Sequence, residues 1–273
     1  MDNINLQRIE GYTVQLVAED VWAIDEFGAD IIYLVKGEKS AAVIDTGSGF
    51  GNLKKVIETL TDLPYVVLNT HGHLDHVGGN HEFGKAYLSE KDFKMADTEK
   101  LRSGWKKYVE KTKKEPGFYG TEYIIEGREP GDFQMLPLSE HQIFDLGGRS
   151  LEVLFTPGHT PGSVVFLDRK NKFLFAGDSV VSTPILIFDT YSATVKEYAE
   201  GLKKLDKEDF ELIFPGHFIR PIGILHDLIT CADKIVEGTA KPEPIDFSHM
   251  SSEPAFLFKY GKGNIAYNDK HIC

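Results

Sequence analysis

Three histidines and an aspartate fall within six residues, His71-Gly72-His73-Leu74-Asp75-His76. Imidazole and carboxylate are side chains that suit zinc or non-haem iron. The segment follows Tyr65–Leu68, a short apolar run that reads as a buried strand. In an extended chain alternate side chains share one side, so His71, His73 and Asp75 can converge. A helix beginning near Asp75 would swing His76 onto a neighbouring point. Gly72 leaves room for backbone beside the cluster. Three more metal-type side chains follow strand-like runs: His159 after Pro157-Gly158, Asp178 after Ala176-Gly177, and His217 after Pro215-Gly216. In each case a glycine permits the close turn that delivers the side chain. One such residue would be an ordinary turn residue. Three in succession after the first cluster point to metal.

The elements that must position these groups alternate between strand and helix. Tyr12–Ala18, Val21–Ile24, Ile31–Lys36 and Ala41–Asp45 read as strands. Leu53, Val56, Ile57 and Leu60 repeat at helical spacing, and Pro64 stops that helix. Ser89 to about Lys114 reads as a second helix. Glu115–Pro137, rich in Gly, Pro and aromatic residues, reads as a long loop or lid. Strands return at His141–Phe144, Leu151–Thr156, Val164–Asp168 and Phe173–Ala176. Val195–Leu205 is a helix, Phe210–Phe214 a strand and Ile222–Val236 a helix. Phe256–Tyr260 and Asn264–Tyr267 form a terminal hairpin around a Gly-Lys-Gly turn. The recurrence of strands then helix suggests two packed sheets with helices outside, in a single domain over residues 1–273. Residues 89–137 stand as a helical and loop insertion, and 221–273 as a C-terminal helix plus hairpin.

Composition narrows the partners. Of 273 residues, 41% are hydrophobic and 26% charged, which excludes wholesale disorder. No apolar run approaches the roughly 20 residues of a membrane helix. The N-terminal segment lacks the features of a signal peptide, and two cysteines make no disulfide framework, so a cytoplasmic protein is expected. The net charge of −12 argues against nucleic acid and anionic membranes and for a small-molecule substrate.

The set His71, His73, Asp75, His76, His159, Asp178 and His217 resembles the metallo-β-lactamase-fold hydrolase superfamily, whose signature is HxHxDH followed by separate His, Asp and His ligands. Asp45-Thr46-Gly47 matches the family's turn after an early strand, and the resemblance covers roughly residues 11–220. It implies an α+β, four-layer αββα sandwich holding two divalent metal ions, zinc first, with iron or manganese as alternatives. It further implies that His71, His73 and His159 hold one metal, that Asp75, His76 and His217 hold the second, and that Asp178 bridges them. Asp45 would fix the histidine loop by hydrogen bonds, or else serve as a plain turn-capping aspartate. A pair of cations lowers the pKa of a shared water from 15.7 to around 7, giving a hydroxide that attacks a carbonyl or phosphoryl centre. Asp75 would take the proton as the leaving group departs.

An aspartate at the bridging position looks more like the glyoxalase II, lactonase and general esterase branches than like true β-lactamases. The expected activity is therefore hydrolysis of an ester, thioester or lactone. The alternatives are a mononuclear iron-dependent oxidoreductase of the persulfide dioxygenase type and a phosphodiesterase. Trp105, Tyr108 and Tyr119 could wall a substrate pocket, or simply pack within the insertion. A homodimer is an option for assembly, with the insertion and terminal hairpin as contact surfaces. The lysine-rich run from Lys100 to Lys114 reads first as a solvated helix face and second as a site for an anionic tail.

Overall fold

The computed structural model describes residues 6–114, 128–217, 223–247 and 253–273. Contacts divide the chain into two compact units. The first is Met1–Ser139 with Ile143–Leu151, and the second is Glu140–Gln142 with Glu152–Cys273.

The first unit is built on a sheet whose strands follow chain order. These are β1 (Leu6–Ile9), β2 (Tyr12–Ala18), β3 (Val21–Asp25), β4 (Ile31–Lys36), β5 (Ala41–Ile44), β6 (Tyr65–Leu68), β7 (Lys85–Leu88) and β8 (Gln134–Pro137). Strands β1 to β5 pair antiparallel, and β5 to β8 pair parallel. The switch to parallel pairing needs crossover connections. Helices α1 (Leu53–Leu60), α2 (Leu74–Val77) and α3 (Thr98–Lys114) lie in the three crossovers. Leu53, Val56 and Ile57 are the buried face of α1, and they join Tyr12, Val14, Ile32, Leu34 and Val43 in one core. Strand β9 (Ile143–Asp145) also belongs to this unit.

In the second unit, β10 (Ser150–Phe155), which belongs to it from Glu152 on, makes an antiparallel meander with β11 (Val164–Asp168) and β12 (Phe173–Gly177). After β13 (Ile185–Ile187) and α4 (Val195–Leu205), β14 (Leu212–Pro215) adds to β12 in parallel. Helix α5 (Ile224–Val236) precedes β15 (Glu243–Ile245), β16 (Ala255–Tyr260) and β17 (Gly263–Tyr267). These last three and β13 form a second sheet in the order β13-β17-β16-β15. The core gathers Val165, Leu174, Tyr198, Leu202, Leu228 and Ile265. Among the described residues no helix is long and apolar enough to cross a membrane.

Two expectations need correction. The helix expected from Ser89 starts at Thr98 instead, because Asp97 caps it: its Oδ1 accepts from the Lys100 backbone N–H at 3.3 Å. The preceding residues make only a short 3-10 turn at Glu90–Asp92. The loop expected to run to Pro137 ends in strand β8. A proline is tolerated there because β8 is the last strand of its sheet. The expected terminal hairpin is present as β16 and β17, and β13 and β15 extend it into a four-stranded sheet. Residues 115–127 of the expected lid lie outside the described residues.

Thr194 and Glu197 form a reciprocal capping box at the start of α4. Thr194→Ala removes one of its two bonds, and the expected loss is about 1 kcal/mol of stability, measured by urea denaturation.

Candidate metal centre

Four of the seven candidate ligands lie in the first unit. The chain leaves β6 at Leu68, crosses Asn69 and Thr70, and presents His71 and His73 before α2 begins at Leu74. His71 Nε2 and His73 Nδ1 are 3.1 Å apart. Two nitrogens bound tetrahedrally to one cation at about 2.0–2.1 Å stand roughly 3.4 Å apart, so this pair fits a common ion. Helix α2 places His76 so that its ring centroid is 4.1 Å from that of His71. His76 Nε2 is 3.9 Å from Asp75 Oδ2.

Asp45 determines which nitrogens face outward. Its Oδ2 accepts from His76 Nδ1 at 2.9 Å and from the Thr70 hydroxyl at 2.8 Å. Its Oδ1 accepts from the Thr70 backbone N–H at 2.8 Å. The Thr70 oxygen also meets His71 Nδ1 at 3.1 Å. With the Thr70 proton given to Asp45, His71 Nδ1 is the donor in that contact. Both rings then carry their proton on Nδ1, and Nε2 is the nitrogen that each could offer to a metal. Asp45 is thus more than a turn-capping residue. Its backbone stands at φ 60°, in the left-handed region where a short polar side chain is better tolerated than most.

Residues without an obvious motif hold the loop from behind. The buried Asp92 accepts from the Gly72 N–H at 2.9 Å, and a Cβ on Gly72 would stand 2.9 Å from the Cβ of Asp92. The His76 carbonyl accepts from Thr46 N at 2.9 Å and from Asn69 Nδ2 at 3.0 Å. Asn80 Nδ2 in turn donates to Asn69 Oδ1. Gly78 and Gly79 let the loop after β5 lie directly against α2, since a Cβ on either would meet a carbonyl oxygen of that loop at 2.4 Å. Asp92, Asn69 and Asn80 belong to no motif legible in the sequence. Buried Asp and Asn near a histidine motif were the available signal, but only the fold pairs them.

Two buried acids lie in the turn before β4. Burial pushes Glu26 up to about 8, against the pull of N–H donors from Ser48 and Phe50 and the Tyr12 hydroxyl. Burial, and then the nearby carboxylates of Glu26, Asp75 and Asp45, push Asp30 well above the usual carboxylate range. Neither Asp30 oxygen has a hydrogen-bond partner.

The other three candidates lie in the second unit, each just after a strand. Asp178 follows β12, His217 follows β14, and His159 follows β10 by a short turn. His159 Nδ1 donates to the Leu186 carbonyl at 2.9 Å, which turns Nε2 towards Asp178. Asp178 Oδ2 lies 3.5 Å from His159 Nε2 and 3.4 Å from His217 Nε2. One carboxylate oxygen therefore faces two imidazole nitrogens at the spacing of ligands that share cations. Gly158 is required beside His159, because a Cβ there would meet the Tyr198 ring at 2.6 Å. Tyr198 is fixed by its hydroxyl, which donates to the Ser179 carbonyl at 2.7 Å. All seven side chains are among those able to hold a metal ion, and the donor set, imidazole with carboxylate, fits a divalent cation.

Of the expected pocket residues, Trp105 is buried at 5% exposure against Phe50, with ring centroids 6.4 Å apart. Tyr108 is half-buried, 6.1 Å from the same ring. Tyr119 lies outside the described residues. Several basic residues of α3 are engaged by the protein itself. Arg102 donates to the Pro130 carbonyl, Lys100 to the Lys94 carbonyl, and Lys106 pairs with Glu129.

The model of the Metallo-beta-lactamase superfamily matches residues 31–217, a span that holds Asp45 and all seven candidate ligands. The chain belongs to that superfamily and has its mixed α/β fold. It is 28% identical over 211 residues to the acyl-coenzyme A thioesterase MBLAC2 of Homo sapiens, covering 68% of this chain and 72% of that protein. It is 33% identical over 141 residues to the hydroxyacylglutathione hydrolase GloC of Haemophilus influenzae, covering 52% of this chain and 61% of that protein. A metallo-beta-lactamase family protein of Thermus thermophilus, TTHA1429, shares the fold with a TM-score of 0.55 at 22% identity, over 78% of this chain and 79% of that one.

Asp45→Ala leaves three donors of the histidine loop without their acceptor. The expected result is metal affinity roughly 10–100-fold weaker in a chelator competition, with the fold retained by circular dichroism.

Proposed function

We propose that this hydrolase cleaves acyl thioesters at a centre of two divalent metals held by His71, His73, Asp75, His76, His159, Asp178 and His217. The observation that carries the dinuclear reading is Asp178 Oδ2, which faces His159 Nε2 and His217 Nε2 at nearly equal distances. A carboxylate so flanked suits a bridge between two cations. The thioester reading is supported by the names of two relatives, an acyl-coenzyme A thioesterase and a hydroxyacylglutathione hydrolase. Both names describe an acyl group carried on sulfur.

When bound, the two cations, zinc in this reading, would lower the pKa of water and polarise the substrate carbonyl. The protein's own residues supply the rest. Asp45 and Thr70 hold the imidazoles of His71 and His76 in one tautomer. The Leu186 carbonyl does the same for His159. Asp75, half-buried, takes up the proton of the attacking water. The oxygen of that water bonds to the acyl carbon, the carbon–sulfur bond breaks, and the proton passes to the departing sulfur. The products are a carboxylic acid and a thiol.

Elemental analysis of the purified protein should count about two metals per chain, mostly zinc. The loaded protein should hydrolyse acyl-coenzyme A or acylglutathione faster than a matched oxygen ester, lactone or phosphodiester. Asp178→Ala should lose at least one metal and most of its activity. One iron per chain, with oxygen uptake on a persulfide, would instead establish the mononuclear oxidoreductase. An Asp178→Ala protein with full metal content and activity would exclude the bridging role.

A further inference from the structure

We infer that Phe27, Leu74 and Tyr108 form a wall that receives the acyl part of the substrate and selects apolar acyl groups. The inference rests on the thioester reading, and it adds the part of the substrate that the metals do not touch.

Leu74 stands in sequence between His73 and Asp75, so its side chain belongs to the histidine loop itself. It is only half-buried. It packs against the cluster of Phe50, Trp105 and Val109, to which Phe27 and Tyr108 also pack. Helix α3 comes this close because residue 104 is glycine: a Cβ there would stand 3.2 Å from Leu74 Cδ2. Tyr108 follows one helical turn later, on the same face as Gly104. The three half-buried side chains thus share a buried aromatic and aliphatic base, and one of them is continuous with the ligand loop.

Phe27 provides an independent observation. Its backbone stands at φ 56°, a conformation that bulky residues rarely adopt. The next residue, Gly28, has a positive φ as well, so a glycine at 27 would suit this turn. A phenylalanine held there is strained, and such strain is retained where the side chain has a use. Its ring lies 4.8 Å from that of Tyr12, and the same turn is anchored by Glu26 through the Ser48 and Phe50 N–H groups. The cluster on which these side chains pack is hydrophobic. The wall therefore offers an apolar group a hydrophobic surface.

Trp105 reports on the wall, because the chain has two tryptophans and Trp22→Phe leaves Trp105 alone. In that background the metal-loaded protein is titrated with the S-decyl and S-ethyl thioethers of coenzyme A, which have no cleavable acyl bond. Saturable binding of the S-decyl compound is expected, at least about tenfold tighter than the S-ethyl compound. Phe27→Gly, which removes the ring and relieves the backbone, and Tyr108→Ala should each erase most of that difference. In turnover, both should lower the ratio of kcat/KM for decanoyl- over acetyl-coenzyme A by about tenfold or more. An unchanged ratio, or equal losses for both substrates, would overturn the wall while leaving the thioester reading intact. If no thioester is cleaved, that reading fails by itself. The wall then stands on S-decyl binding that the two variants weaken, and falls if they do not.

Discussion

A buried carboxylate that accepts three hydrogen bonds organises the histidine loop. Asp45 is 3% exposed. An ionised carboxylate at that depth is costly unless donors compensate it. The Thr70 N–H, the Thr70 hydroxyl and His76 Nδ1 do so. Each such charge-assisted bond contributes about 1.5–3 kcal/mol. The same bonds define two imidazole tautomers, one directly and one through the Thr70 oxygen. Stability and metal readiness in this loop therefore have one cause.

The packing around Asp45 serves that arrangement. The loop after β5 approaches α2 closely enough to bond Thr46 N to the His76 carbonyl only because Gly78 and Gly79 lack side chains. The amides of Asn69 and Asn80 then satisfy one another inside a region that water does not reach. In the second unit the logic repeats with different parts. Gly158 accommodates the Tyr198 ring, and the Leu186 carbonyl sets the His159 ring. In each unit, backbone brought close by glycine lets buried polar groups aim the imidazoles.

The acidic turn before β4 has a different character. Glu26 is anchored by three donors, whereas Asp30 has none and lies near Asp75 and Asp45. Burying so many acids on one side of a loop is unfavourable for an isolated chain. Glu26 also sets the turn that holds Phe27 against its backbone preference, so the acids and the strained aromatic belong to one local structure.

The sequence by itself determined the superfamily and the side-chain types that could hold a metal. The types and spacing in His71–His76, and the repeated pattern of strand, glycine and ligand at His159, Asp178 and His217, are local features. Local features survive in a linear reading because side-chain direction alternates along a strand and glycine marks close turns. Most strand and helix positions were legible for the same reason, and α4 was read to the residue. Short or polar strands such as β8 and β13 were not, because pairing with a neighbour rather than intrinsic preference makes them strands. The tertiary structure alone decided the supporting contacts. Asp92 lies twenty residues from Gly72, and Asp45 lies thirty-one from His76. Nothing local links either pair, since hydrogen bonds at that separation exist only once the sheet has brought the loops together.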